Sequence, residues 1–446
     1  MDNVAQSTPI LQDNFGEVFY SSIKSTKNQE EYPEIPVTPL GVAGISASTL
    51  DSIVLSSNTT RDKLLLQNKY KLNRQLKDAL CVNGVVTKKV VRNCLKSSIS
   101  KEAEVEIHLP KNGAAIIKNV MTCKNFWQCP VCRTNMLKQK RKNIQSVVNK
   151  SKTQNLMVTL TLRHSREDSL EKLVDGLQKA SSDMWRDRVW QKLKKQYKFD
   201  WHIRNLEITW GARNGWHIHM HILIGSMSKE LDIGDIEAKL FQVWNRLVLK
   251  HKMKQLDRQA GVNAILAENA SAYLAKWNYS NEMAGQKSGR GDNVSIGDLE
   301  VDILGYTINP EYKGYTSLEQ TKYLLKEYHE GFKNRRFLYP GGRFNEILKE
   351  VEEAEELKDE DEEIIEDTTV VFVKSNFWMK LSYAGYSMDF VSILETRSIP
   401  SALDWLNEKW KNTGEVLDNV RVVETGKCAV VEARTENRLA MSEHRN

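Results

Sequence analysis

Residues 203–224, IRNLEITWGARNGWHIHMHILI, decide the architecture of this 446-residue chain. Two apolar-rich segments, 203–210 and 216–224, flank the five residues GARNG. Two glycines in so short a link predict an antiparallel hairpin. In the second segment His217, His219 and His221 alternate with Ile218, Met220 and Ile222. Alternate side chains of a strand share a face, so the histidines line one side and the apolar residues the other. Neighbours on one face lie ~6.5–7 Å apart, close enough for two imidazoles to converge on one divalent ion. Glu207 supplies a carboxylate across the hairpin. Imidazoles with a carboxylate suit Mg²⁺ or Mn²⁺ acting as a Lewis acid on a phosphate, and Zn²⁺ is a second reading for this strand.

Working outward, residues 156–162 (LMVTLTL) read as another strand. Helices are expected at about 168–195, 235–251, 263–278 and 316–334, with a loop at 281–300. Residues 1–60 are rich in Ser, Thr, Asn and Pro without a clear period, which reads as a disordered segment. Residues 61–80 read as a basic amphipathic helix, and 81–132 as short strands. The expected division is therefore a disordered 1–60, a basic and Cys-rich zinc- and DNA-binding segment at 61–152, and a catalytic domain at 153–345. An acidic linker at 346–367, its acidic run 351–367 a linker or a solvated helix, and a small C-terminal unit at 368–446 complete it.

Four of the six cysteines, Cys94, Cys123, Cys129 and Cys132, are spaced Cys-x₂₈-Cys-x₅-Cys-x₂-Cys. The Cys129-Pro130-Val131-Cys132 turn lets two thiolates grip one ion, and four would close a tetrahedral structural Zn²⁺ site. His108 is an alternative to Cys94, and Cys81 is a spare. So few, clustered cysteines fit a reducing compartment better than a disulfide framework. The helix expected at 133–152 carries seven bases and no acid. If zinc fixes its orientation, Lys138, Lys140, Arg141 and Lys142 face phosphates.

The net charge is +6. Residues 351–370 hold eleven acids and one base, net −10, which leaves +16 on the other 426 residues. That surplus points to polyanionic partners, nucleic acid first. No run of 18 apolar residues predicts a membrane span. The N-terminus has neither the basic nor the apolar part of a secretion signal, so the expected location is cytoplasmic, with no membrane partner.

Residues 263–280, NAILAENASAYLAKWNYS, are Ala-rich and helix-prone. Tyr273 and Lys276 stand at i and i+3 on one patch of such a helix. A tyrosine can attack a phosphodiester and form a phosphotyrosyl intermediate. A nearby ammonium favours the phenolate of a group whose free pKa is ~10. Tyr279 lies about 240° round the helix from Tyr273, and Glu268 about 140°, so neither shares its face.

The order is a cysteine cluster, then Thr159-Leu160-Thr161 on a strand, then the histidine strand, then Tyr273-x-x-Lys276. This order resembles the HUH endonucleases, specifically the rolling-circle replication initiators of bacterial plasmids. The His-hydrophobic-His pair is His219-Met220-His221, and His217 matches a further histidine often present in that group. CKNFWQCPVC resembles the family's cysteine-rich entry segment, and KEYHEGFKNRRFLYPGG (326–342) a downstream one. The likeness spans roughly residues 80–345.

The resemblance implies an α+β fold: an HUH-type antiparallel sheet, ferredoxin- or RRM-like, with flanking helices and a central histidine strand. It implies that a metal held by His219, His221, His217 and Glu207 polarises the scissile phosphate of single-stranded or cruciform origin DNA. Tyr273, aided by Lys276, would attack, stay joined to the 5′ end and leave a 3′-OH primer. Relatives with two tyrosines place the second four residues on, where Trp277 stands, so a single-tyrosine cycle is implied. DNA contacts are expected from the basic helix and from Lys333, Arg335 and Arg336. Trp210, Trp216 and Trp277 are candidates to stack on unpaired bases, with two of the three expected in the core. No G-x-x-x-x-G-K-S/T loop is present, so a host helicase and polymerase would be recruited. The alternatives are an HUH relaxase or transposase, and a non-catalytic zinc protein that binds DNA.

Overall fold

The computed structural model describes residues 69–110, 115–267, 293–359 and 368–424. Helix α1 (Lys69–Val82) precedes strands β1 (Val105–Pro110) and β2 (Ile116–Lys118). Helix α2 (Pro130–Ser151), strand β3 (Gln154–Thr161), and helices α3 (Leu170–Arg186) and α4 (Arg188–Gln196) follow. Strands β4 (Phe199–Gly211) and β5 (Gly215–Ser226) form the hairpin. Next come α5 (Ile233–Lys250), β6 (Val262–Leu266), β7 (Asn293–Ser295), α6 (Ile296–Ile308), α7 (Leu318–Gly331) and β8 (Leu338–Gly342). The last described part holds α8 (Phe344–Asp359), β9 (Thr368–Val373), α9 (Ser375–Tyr383), α10 (Ser387–Thr396), α11 (Ile399–Trp410), α12 (Thr413–Asn419) and β10 (Val420–Glu424).

The fold is α+β, with two antiparallel sheets flanked by helices. The larger sheet runs β6-β3-β5-β4-β7, with β8 beside the first half of β4. The histidine strand β5 is therefore central, as expected. The hairpin is tighter than the sequence suggests: Gly211 pairs with Gly215, leaving a three-residue tip. Gly215 sits at φ +73° and a Cβ there would lie 2.9 Å from the Arg166 Cα, so only glycine fits.

Strand alternation divides this sheet cleanly. Val158, Leu160, Leu206, Ile218, Met220 and Ile222 face a core shared with α3 (Leu173, Leu177) and α5 (Leu240, Trp244, Leu247). On the opposite face Met157, Trp201, Ile203 and Leu223 pack under Ile144 and Val147 of α2 and Phe344 and Ile347 of α8. These two helices cover one end of that face. The histidines lie on its other end, half-buried.

Four expectations are corrected. The helix expected from 263 begins as a strand: Val262–Leu266 pairs with β3, because the edge backbone finds a ladder partner there. The acidic linker is helical to Asp359 and docks through Phe344 and Ile347, since its apolar residues are spaced to form one stripe. The C-terminal segment is not a separate unit. β9 lies between β1 and β10 in the second sheet, ordered β10-β9-β1-β2, and Trp378 is buried with its Nε1 donating to the Leu95 carbonyl at 3.1 Å. The expected helix at 168–195 is two helices, broken at Asp187, which caps the second by accepting from the Val189 N–H. The segment assigned as disordered, 1–60, lies outside the described residues.

The loop between β3 and α3 is tied by Asp168, a buried carboxylate. It accepts from Ser165 N (2.8 Å) and Oγ (3.0 Å), Lys172 Nζ (2.8 Å) and Lys254 Nζ (2.7 Å). Burial raises its pKa, but the hydrogen bonds from Lys172, Lys254 and Ser165 more than offset that and hold it below the ordinary carboxylate range. A depressed folded-state pKa gives stability that is present above the unfolded value and lost as pH falls. Urea melts should therefore show Asp168→Asn less stable by ~2–3 kcal/mol at pH 7, with the difference shrinking below pH ~4. A pH-independent difference would refute the role of the charge.

Candidate functional site

Register sets the chemistry of the open half of the sheet. Thr161 and Glu207 stand on either side of His219, and Thr159 and Asn205 on either side of His221. Thr209 stands beside His217. Glu207 reaches diagonally: the His221 Nε2–H donates to its Oε2 at 2.6 Å. The carboxylate read across the hairpin is thus in contact with the histidine row.

Each strand histidine has its Nδ1 engaged. His221 Nδ1 lies 3.0 Å from Thr159 Oγ1, His219 Nδ1 3.5 Å from Thr161 Oγ1, and His217 Nδ1 2.6 Å from His164 Nε2. The rings form a continuous row, with centroid separations of 4.8 Å (His164–His217), 4.1 Å (His217–His219) and 5.7 Å (His219–His221). A tethered Nδ1 leaves Nε2 as the ligand atom of His217 and His219, whereas the His221 Nε2 is engaged by Glu207 and would have to give up that contact to meet a cation. Burial pushes His217 down to about 4, helped by His219 and His164, and also lowers His219 and His164. These three rings are therefore neutral at pH 7, the form that binds metal. Burial alone would raise the Glu207 carboxyl, but the His221 hydrogen bond and the histidine row bring it below its ordinary value.

Imidazoles with a carboxylate are the donor types of a borderline divalent cation, although among the described residues only the cysteine quartet has its ligand atoms already gathered within 4.8 Å of one another. One orphaned atom supports this: Asn205, buried and opposite His221, has no hydrogen-bond partner for its Oδ1 among the described residues. A cation or its bound water would satisfy that acceptor.

The cysteine set comes together as read. Cys94, Cys123, Cys129 and Cys132 place their sulfurs within 4.8 Å of one another, with Cys132 Sγ 3.5 Å from both Cys94 and Cys123. A tetrahedron with Zn–S of about 2.3 Å has edges of roughly 3.8 Å, so the four could hold zinc. Hydrogen bonds from Cys123, Cys129 and Cys132 hold the Cys94 thiol below the ordinary cysteine range, while the sulfurs of Cys123, Cys132 and Cys94 push Cys129 above it. His108 is not part of the set; its Nε2 contacts Glu106 on β1 at 2.8 Å.

Cys129 stands at the N-cap position of α2 without a side-chain capping bond, and Pro130 occupies the first turn. Lys138, Lys140 and Lys142 are exposed along this helix, and Arg141 is half-buried with its pKa lowered by burial. Lys333 and Arg336 are exposed as well. Arg335 turns inward instead of toward a ligand: its guanidinium contacts Asp175 and Gln178, each at 2.5 Å, because both acceptors face it from α3. Trp216 is core, its Nε1 donating to Glu327 at 2.9 Å, and Trp210 is half-buried. Tyr273 and Lys276 lie outside the described residues, as do Glu268, Trp277 and Tyr279. The chain that carries them leaves β6 at one edge of the larger sheet and re-enters at β7 on the other, with β5 between.

Sequence reasoning missed the partners of the histidines. Thr159 and Thr161 carried a motif likeness but no role, and His164 carried no signal at all. It stands in a loop, where no period marks it.

With this geometry in place, residues 114–230 match the family model described as "Replication protein". The match takes in α2, β3 and the whole histidine hairpin. Among curated proteins the chain is similar to "Protein rep" of Streptomyces lividans, 26% identical over 25% of this chain and 31% of the relative. It is also similar to a protein of Streptomyces cyanogenus named "Neomycin resistance protein", 28% identical over 25% of this chain and 32% of the relative. The match spans about a third of the length of these relatives. No solved structure matches.

Proposed function

We propose that the chain is a rolling-circle plasmid replication initiator that nicks and rejoins single-stranded origin DNA. The observation that carries this reading is the row His217, His219 and His221 beside Glu207 on the open half of a central strand, within a segment similar to replication proteins. His219, His221, His217 and Glu207 would hold Mg²⁺ or Mn²⁺, which when bound supplies Lewis-acid polarisation of the scissile phosphate. Tyr273 is the nucleophile. Its phenol oxygen bonds to phosphorus as the P–O3′ bond breaks, and the phenolic proton passes through solvent to the departing 3′-oxygen. Lys276 favours the phenolate and screens the phosphate charge. Lys138, Lys140 and Lys142 of α2, docked on the same sheet face as the histidines, hold the backbone nearby. A host polymerase extends the 3′-OH as a host helicase unwinds the duplex.

The test is a labelled single-stranded DNA library incubated with Mn²⁺, from which denaturation-resistant adducts are recovered and sequenced. Wild type should give an adduct that maps by mass spectrometry to Tyr273. Tyr273→Phe should give none, and His219→Ala with His221→Ala should lose at least a hundredfold of it, about 2.7 kcal/mol or more in barrier. An adduct undiminished in Tyr273→Phe removes the nucleophile assignment. The absence of any adduct in wild type favours a non-catalytic DNA-binding role.

A further inference from the structure

His164 lies in the loop after β3, outside the core, half-buried. Its Nδ1 is 3.1 Å from the Asn214 carbonyl oxygen and its Nε2 is 2.6 Å from His217 Nδ1. A carbonyl oxygen only accepts, so a neutral His164 carries its proton on Nδ1. Its Nε2 is then a lone pair, and the proton in the 2.6 Å contact belongs to His217 Nδ1. His217 Nε2 is left with its lone pair, as a metal ligand requires.

We propose that His164 is a positioning residue of the histidine site: it fixes His217 in the Nδ1–H tautomer and directs the His217 Nε2 outward, adding a third imidazole to the His219–His221 pair. This rests on the reading above that the row holds a divalent cation.

The partners of the other two rings differ in kind. The hydroxyls of Thr159 and Thr161 can donate or accept, so by themselves they fix neither tautomer; the His221 tautomer is set by Glu207, which accepts from its Nε2–H. His164, with its Nδ1 proton committed to Asn214, can only accept from His217. The loop is also braced to hold it in place. Asp168 ties Ser165, Lys172 and Lys254 together, Arg163 bridges to Lys254, and the Arg166 backbone is pressed against Gly215 at the hairpin tip.

The experiment uses the full chain with ¹⁵N-labelled histidine. Long-range ring spectra of the metal-free protein should show His217 as the Nδ1–H tautomer. His164→Leu should release that preference. His164→Gln, whose amide oxygen can accept the same proton, should keep it. Mn²⁺ titration followed by electron paramagnetic resonance should show affinity reduced ~10–100-fold in His164→Leu and largely restored in His164→Gln. A wild-type His217 in the Nε2–H form overturns the proposal, as does His164→Leu with both tautomer and affinity unchanged. Mn²⁺ binding equal in wild type and in His219→Ala/His221→Ala would remove the cation reading instead, and the tautomer spectra of the same samples still judge His164 separately.

Discussion

Substituting Arg133 with Ala is expected to destabilise the protein by about 3–5 kcal/mol, enough to leave much of it unfolded at 37 °C. Arg133 and Glu300 are 2% and 0% exposed, and one guanidinium nitrogen, Nη2, contacts both carboxylate oxygens, at 2.6 and 2.5 Å. Its Nη1 also donates to the Trp127 carbonyl at 3.4 Å. Removing one partner strands the other charge in a medium that cannot solvate it. Glu300→Gln keeps the shape and removes the charge, and it should cost nearly as much. The informative variant is the double replacement Arg133→Met/Glu300→Leu. It should be far less destabilised than either single change, because no unpaired charge remains. Thermal melts of all three, analysed as a mutant cycle, check this. Additive losses would show that Arg133 acts through packing alone. The pair matters to the site because it joins the first turn of α2, directly after Cys132, to α6, which follows the strand paired with the end of β4.

If the cysteine quartet holds zinc, stripping it should have a larger effect. Structural zinc contributes on the order of 10–16 kcal/mol in small zinc modules at pH 7. A strong chelator, or Cys132→Ser, should unfold the region around β1, β2 and the start of α2, read as lost near-ultraviolet ellipticity and fast amide exchange there. Cys132 Sγ lies 3.5 Å from both Cys94 and Cys123, so its loss removes a ligand in contact with two of the others. Cys81, on α1 and outside the quartet, serves as the control: Cys81→Ser should retain zinc and fold. Folded, zinc-free wild-type protein with unchanged exchange would refute the structural role.

The hairpin was legible in the sequence because each of its signals is local: strict alternation, two glycines, and a carboxylate at a fixed offset. The cysteine set was legible because its metal chemistry dictates the spacing. Errors arose where distant partners override local preference. NAILA has helical propensity, but β3 offers 262–266 a ladder to complete. Charge density suggested a linker around 346–367, although Phe344 and Ile347 supply the stripe that docks α8. Nothing near Thr368 reveals that its strand pairs with residues 105–110, more than 250 positions away. Arg335 looked like one more base in a basic stretch, and only the arrival of Asp175 from α3 turns it inward. His164 needed the hairpin tip and its own loop to meet before it had any partner.

The insertion of β9 between β1 and β10 also bears on biosynthesis. While the ribosome is still translating codon 367, β1 presents a bare edge, although the whole β4–β5 hairpin has already been synthesised. Nascent chains stalled at that stage would offer a template for strand exchange with one another, a hazard that ends only when the last fifth of the polypeptide arrives to cap it.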